Sequence, residues 1–531
     1  CTSKNKISLK KRVVSRDTFF TTVATRVSKI QICKLSCVFL RGKPLFLDPL
    51  MTEPTLKHKT TVSLFWSFLD KFGQQLIFLG SSIVLMRILT PSEYGLIGAL
   101  TIFIAFSALL VDSGFSRALL NRKHITDEEY STVFYFNLLF SILLYLLLFA
   151  ASPLIAQLFH DPRLILISRV LFLSLILNAA GMIQMTLLTK KANFKGITRV
   201  NLAAQVIAVI VAIVMALNGY GVWSLVVQNL LIALFRTLFL WSYSRWTPLK
   251  QFSLKLLHSF TRLSYKLVTT SLINAVFNNI YPSIIAYFYP NAMHQVGYYN
   301  QAQKYQDIPF GILSNTFRSV SILILPEIND QTERLHRVVS KMMKSLAFLS
   351  FPIGFLMILI AEPTFLFLFQ EKWLPAVPYF RILTLAGIIS PFAFILNELF
   401  IAREKANYFL GVEIIRRLIL VLLIALLFRY GIMGLAASWV IYTYVTLIIS
   451  LILSRRLIRY SLSAFASDVL PYLLLALISS GIAWFITRNI QHDLLFIFTG
   501  SVIVAFFYLL FCRLLRLEMI QEIKEWIITQ K

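Results

Sequence analysis

The chain has 531 residues, of which 58% are hydrophobic, 14% aromatic and 14% charged, with a formal net charge of +27. A soluble domain carries about 25% charged residues, so a chain this apolar has lipid rather than water as its main solvent. The cations lie in small clusters between apolar runs, not in one patch, a pattern that excludes nucleic-acid binding and fits membrane topology signals.

Residues 1–50 begin with Cys, are rich in Lys and Arg, and lack an apolar core followed by a small-residue cleavage site. Met51 then opens "MTEPTLKHKTTVSLFW", so the basic extension is expected to lie outside the native fold, with Met51 as the true start. Cys1, Cys33 and Cys37 fall in the extension and Cys512 stands alone, so neither a disulfide framework nor a metal site is expected.

Beyond Met51, runs of roughly 18 to 25 apolar residues recur, each long enough to cross a bilayer as a helix. The alternation in segments of about ten that marks a membrane barrel is absent. Fourteen spans are expected, near 63–88, 94–117, 131–151, 165–188, 200–217, 222–244, 263–288, 296–325, 341–361, 376–400, 408–428, 432–454, 468–487 and 493–512. Their connections alternate in charge. One set holds Arg122/Lys123, Lys190/Lys191/Lys195/Arg199, Arg245/Lys250/Lys255/Arg262, Arg334/Arg337, Arg403/Lys405 and Arg455/Arg456/Arg459. The other set, including "TPSEYG", "NGYG" and "YPNAMHQ", is nearly free of cations. The positive-inside rule places the basic set and both termini in the cytoplasm.

The chain also repeats itself. "KANF" at Lys191–Phe194 returns as "KANY" at Lys405–Tyr408, 214 positions later, and Tyr220-Gly221 returns as Tyr430-Gly431, 210 later. Tyr94-Gly95 has a looser echo in Val296-Gly297-Tyr298. Echoes at nearly one offset and at equivalent topological places imply an all-α membrane protein of two parallel six-helix lobes with two further helices, a transporter architecture with the substrate path between the lobes. The expected organisation is a basic extension (1–50), a first lobe (51–250), a second lobe (251–460), two added helices (461–512) and an amphipathic cytoplasmic tail along the membrane surface (513–531).

A polar group at membrane depth is costly unless it has a partner or faces a wet cavity, so such residues are functional candidates. In the eighth span Asn300, Lys304, Asp307, Gly311, Asn315 and Arg318 recur at steps of three or four and share one helical face, with Ile308, Phe310, Ile312 and Phe317 opposite. The seventh span adds Asn274, Asn278 and Tyr281, and the first adds Asp70, Gln74 and Ser81 with Lys71 and Gln75 alongside. Arg236, Lys266, Arg381 and Glu398 are further candidates. Lys304 and Asp307 also read as a simple i,i+3 ion pair, and the amides and hydroxyls as glue between helices. The length of the eighth-span stripe exceeds what one ion pair requires, and its Lys and Arg suit an anionic group, above all a phosphate. Arg117, Arg122 and Lys123 read as topology anchors or as receivers of an anionic head group. Pro153, Pro282 and Pro309 are expected to kink their helices. No H-E-x-x-H, G-x-S-x-G or P-loop pattern stands in a suitable context, and the His residues lack ligand spacing, so no enzyme activity, cofactor or metal is expected.

"LTPSEYGLIGALTIF", "DSGFSRALLNRKHITDEEYSTVFYFNLLF", "VGYYNQAQKYQDIPFGILSNTFRSVSILILPEI" and "EKWLPAVPYFRIL" resemble the polysaccharide-transporter branch of the multidrug/oligosaccharidyl-lipid/polysaccharide exporter superfamily, above all Wzx-type flippases and colanic-acid-exporter-like proteins. The resemblance runs from about Met51 to the fourteenth span. It implies a V-shaped cavity between two lobes, and a substrate that is an undecaprenyl-pyrophosphate-linked oligosaccharide moved across a bacterial inner membrane by alternating access. Lys71, Arg117, Lys304 and Arg318 are the positions it implies for holding pyrophosphate, with Asn274, Asn278, Asn300 and Asn315 lining the cavity and Asp70 and Asp307 as candidates for ion coupling. The expected partners are the lipid-linked oligosaccharide, the membrane and other polysaccharide-assembly proteins. The alternatives are a small-molecule exporter of the same superfamily and a membrane-embedded polysaccharide polymerase or ligase.

Overall fold

The computed structural model describes residues 54–529 apart from 113, 123–124, 290–291 and 403–405. Residues 54–64, 117, 121, 258–270, 323, 401–402, 406–410, 523–524 and 526–529 are described by backbone alone. The described chain is helical, without a strand: α1 (Pro54–Ile88), α2 (Pro91–Asp112), α3 (Phe115–Asn121), α4 (Asp127–Leu158), α5 (Leu164–Leu171), α6 (Leu173–Lys190), α7 (Phe194–Leu217), α8 (Val222–Ser244) and α9 (Leu254–Phe288). There follow α10 (Met293–Glu327), α11 (Thr332–Leu359), α12 (Ala361–Phe369), a 3-10 turn (Glu371–Ala376), α13 (Val377–Ala402), α14 (Ala406–Leu427), α15 (Gly431–Ile458), α16 (Leu462–Thr487), α17 (Asp493–Leu514) and α18 (Glu518–Thr529).

Every expected span therefore has a helix, with two corrections to the boundaries. The second span ends at Asp112, because Gly114 takes a left-handed conformation (φ 67°) and α3 starts afresh behind it. The fourth is divided at Phe172 into α5 and α6. Eleven stretches of the described residues are long and apolar enough to cross a membrane, and one of them, 411–458, contains two consecutive helices. Helices α1 and α9 are not among the eleven; Lys57, Lys59, Asp70 and Lys71 thin the apolar content of α1.

Capping chemistry sets several starts. At α4 the Thr126 hydroxyl accepts from Glu129 N while the Glu129 carboxylate accepts from Thr126 N at 2.9 Å, a reciprocal box that satisfies two orphan donors. Asn193 Oδ1 accepts from Gly196 N at 3.0 Å to start α7, which gives the "KAN" echo a mechanical role. The echoes also return as backbone geometry. Left-handed φ occurs at His160 and Gln370, 210 positions apart, at Gly221 and Gly431, 210 apart, and at Arg245 and Arg459, 214 apart. The same corners are turned in each half, as expected of a duplicated architecture.

The helices from His58 to Phe511 form one compact unit; Cys512–Lys531 belong to a separate one, in which Gln521 Nε2 donates to Arg516 O at 3.0 Å. Within the first unit the halves meet where α2 crosses α10. A Cβ on Gly95 would lie 1.9 Å from Met293 O, and one on Gly297 would lie 1.9 Å from Pro91 O. Only glycine permits this reciprocal approach, so the two helix starts are pressed together. Both helices begin at the end of the bundle that carries the cation-poor loops.

Candidate functional site

That end is sealed. Trp373, from the 3-10 turn, is fully buried; its indole Nε1 donates to Met86 O at 2.9 Å, and its ring meets Tyr94 and Tyr298 edge-on at 5.4 and 5.9 Å. Arg87 donates to Leu368 O at 2.8 Å and Phe367 O at 2.6 Å, while Lys372 Nζ donates back to Arg87 O at 2.7 Å and Leu89 O at 2.9 Å. Two cations thus clamp the α1–α2 corner to the α12–α13 corner through carbonyls.

From this seal the polar face of α10 runs inward with rising exposure. Asn300 is only 4% exposed and stands against Gly98 of α2, its Nδ2 without an acceptor among the described residues. One turn on, Lys304 is half-buried and has no ion-pair or hydrogen-bond partner among the described residues. Asp307 is exposed and accepts from Gln306 Nε2, so the i,i+3 ion pair with Lys304 does not form. At Gly311 a Cβ would meet nothing within 4 Å, and Asn315 and Arg318 are exposed. Arg318, its side chain 48% exposed, donates Nε to Glu398 Oε1 of α13 at 2.7 Å. On the opposite face Phe310 and Phe317 are buried as expected, Phe310 filling the space beside Gly354 and Gly387, whereas Ile312 is exposed.

The other expected residues divide among different places. Asp70 does not join the α10 stripe: it is buried, accepts from Asn201 Nδ2 of α7 at 3.0 Å, and feels the charge of Arg236 on α8. Lys71, its neighbour, is exposed on another side of α1. Asn274 is engaged by the Arg417 guanidinium, and Asn278 is exposed. Tyr281 is buried in a hydrogen bond with Ser438 at 2.9 Å and belongs to the core. Arg381 reaches Ile358 O at 3.3 Å and Glu362 at 3.2 Å. The Arg117 and Lys266 side chains lie outside the described residues, as do Cys1, Cys33 and Cys37.

One buried cluster was not singled out from the sequence. On α14, Glu413 lies 3.7 Å from both Arg416 Nη1 and Arg417 Nη2. Arg416 is 1% exposed and donates to Asn397 Oδ1 at 3.0 Å and Ser450 Oγ at 2.7 Å; Arg417 also stacks near Phe277 and Tyr442. Three charges in one turn of a span, "EIIRR", were the available signal.

A family model described as "Polysaccharide biosynthesis protein" matches residues 84–378, more than half of the chain. The chain belongs to this family. Among curated proteins, this member of the polysaccharide biosynthesis family is similar to the succinoglycan biosynthesis transport protein ExoT of Rhizobium meliloti (strain 1021), at 27% identity over 64% of this chain and 68% of that protein. It is similar to the teichuronic acid biosynthesis protein TuaB of Bacillus subtilis (strain 168), at 22% over 73% and 80%. The lipopolysaccharide biosynthesis protein WzxC of Escherichia coli (strain K12) matches at 22% over 66% and 72%. Among solved structures, the lipid II flippase MurJ in an inward closed conformation aligns with a TM-score of 0.70 at 15% identity, covering 86% of this chain and 99% of that one. An inward-facing multidrug resistance MATE transporter of the MOP superfamily aligns with a TM-score of 0.58 at 18% identity, over 74% and 96%. The family member thus shares its fold with MOP-superfamily transporters.

Proposed function

We propose that the protein is a flippase that carries an undecaprenyl-pyrophosphate-linked oligosaccharide across a bacterial inner membrane by alternating access. The observation that supports this most is the α10 face: a polar stripe that is blind beneath the Trp373 seal and progressively open toward Arg318. Such a gradient suits a cleft loaded from one side. The curated relatives named for polysaccharide transport and biosynthesis, and the fold shared with a lipid II flippase, point the same way.

In this reading the first lobe comprises 51–250 and the second 251–460, both termini are cytoplasmic, and the 513–531 tail lies on the membrane surface. Lys304 and Arg318 receive the pyrophosphate; Asn278 and Asn315 meet the sugar, and Lys71 and Arg117 meet the incoming head group. Asn300 lies too deep beneath the α2 crossing to touch a ligand in this state and is assigned to the closing motion, as Asn274 is to the α14 cluster. Asp307 couples the cycle to an ion, while the Asn201-bound Asp70 serves the first lobe internally. The polyprenyl tail stays in lipid, and no covalent step is required.

The test is depletion of the gene followed by measurement of the leaflet on which lipid-linked oligosaccharide accumulates. Build-up on the cytoplasmic leaflet is expected; normal distribution between leaflets would overturn the reading. Lys304→Ala and Arg318→Ala are expected to insert normally yet fail to complement.

A further inference from the structure

The buried cluster on α14 has more positive charge than its surroundings balance. Arginine stays protonated in any protein environment, so Arg416 and Arg417 bring two positive charges. Glu413 is the one carboxylate within ion-pair reach of either among the described residues. The groups facing them from the other helices are neutral: Asn274 on α9, Asn397 on α13, and Ser450 and the Tyr442 ring on α15. One positive charge is left over in the interior of a membrane lobe, where an uncompensated ion is strongly disfavoured.

Arg416 Nη1 and Arg417 Nη2 lie 3.7 Å from Glu413 and donate to Asn397 and Asn274, while Glu413 Oε2 accepts no hydrogen bond among the described residues. Arg416 Nε, Arg417 Nε and Arg417 Nη1 are buried and have no acceptor among the described residues. With Arg416 1% and Arg417 8% exposed, whatever these donors hold is nearly enclosed. The equivalent knot of the first lobe provides the contrast. There Asp70, held by Asn201, and Arg236 bring one charge of each sign, with no ion pair between them and Arg236 Nε also without an acceptor among the described residues.

We propose that the α14 cluster is a binding site for a small monovalent inorganic anion, held by the buried Arg416 and Arg417 donors that have no acceptor among the described residues. One charge matches the excess, and the enclosure favours a halide-sized ion over a phosphoryl group with substituents. The site lies inside the second lobe, on the α14 side of Asn397, whose neighbour Glu398 holds Arg318 of the substrate cleft.

The test uses the full chain in nanodiscs of zwitterionic lipid, following the thermal unfolding midpoint in sodium chloride against sodium gluconate at constant ionic strength. A saturable upward shift in chloride is expected. Arg417→Gln should abolish it. Glu413→Gln, which raises the excess charge, should move the half-effect to lower chloride. Lys304→Ala combined with Arg318→Ala should leave it unchanged, and this separates the site from the cleft. If Arg417→Gln does not fold, Arg417→Lys, which keeps the charge but loses the Nε donor, should shift the half-effect several-fold upward. The assignment is overturned if chloride and gluconate give the same midpoint, if the Arg417 variant that folds responds like wild type, or if the response disappears in the cleft variants. Stabilisation by inorganic phosphate or pyrophosphate without stabilisation by chloride would overturn it in favour of a phosphoryl site.

Discussion

Arg318 Nε lies 2.7 Å from Glu398 Oε1, joining the exposed end of the α10 stripe to a buried carboxylate on α13. The pair does two jobs at once: it neutralises Glu398 and holds a half-exposed cation at the open end of the α10 stripe. Arg318→Ala therefore leaves Glu398 buried without a partner. Because the guanidinium is half exposed, the stability cost is expected at about 1–2 kcal/mol, below that of a fully buried pair. Glu398→Gln should cost less than Arg318→Ala and retain export. Unfolding midpoints in detergent, set beside complementation of polysaccharide export, check both parts.

The crossing of Gly95 and Gly297 makes the two helix starts inseparable from the seal. Gly95→Ala or Gly297→Ala places a methyl 1.9 Å from a carbonyl oxygen, and the helices must part to admit it. Overpacking of this kind is expected to cost about 1–3 kcal/mol. Gly311→Ala is the internal control, since a Cβ there meets nothing within 4 Å and alanine is the better helix former. Its midpoint should be unchanged or slightly higher. A tolerated Gly95→Ala would show that the crossing is looser than described.

Lys372→Ala removes two charge-assisted hydrogen bonds to Arg87 O and Leu89 O from the seal. Each such bond contributes about 1.5–3 kcal/mol. If the seal opens during transport, its loss raises the open population at least about tenfold. Labelling of an Asn300→Cys reporter by an impermeant maleimide, added from the side of the cation-poor loops, should rise accordingly. Equal labelling with and without Lys372 would exclude a gating role for the clamp.

Asp70 and Arg236 form the balanced counterpart of the α14 cluster. Asp70→Asn keeps an oxygen for Asn201 but strips Arg236 of its counter-charge, with an expected cost of about 2–3 kcal/mol for this partly buried cation. The double variant Asp70→Asn, Arg236→Gln should recover most of that loss. A double variant no more stable than the single one would mean that the two charges are not coupled.

The sequence made the spans, the repeated corners and the α10 stripe readable because each is a one-dimensional pattern: apolar length, a fixed offset, or a step of three or four. What it could not supply was depth. Asn300 and Arg318 share a face, yet one is buried and the other exposed, because α2 crosses α10 at the first and not the second; no periodicity within α10 encodes that neighbour. The clamp was hidden for a related reason. Arg87 and Lys372 bind carbonyl oxygens, which every residue has, so nothing in the distant partner's identity marks the contact. The Glu413, Arg416 and Arg417 cluster was visible as charge within an apolar span, but its imbalance emerges only when the facing helices are seen to be neutral.

The paired left-handed corners at His160/Gln370, Gly221/Gly431 and Arg245/Arg459 recur at nearly one spacing, and the last two pairs keep the same residue. A bend and its residue kept together at equal spacing mark the two halves as repeats of one backbone plan.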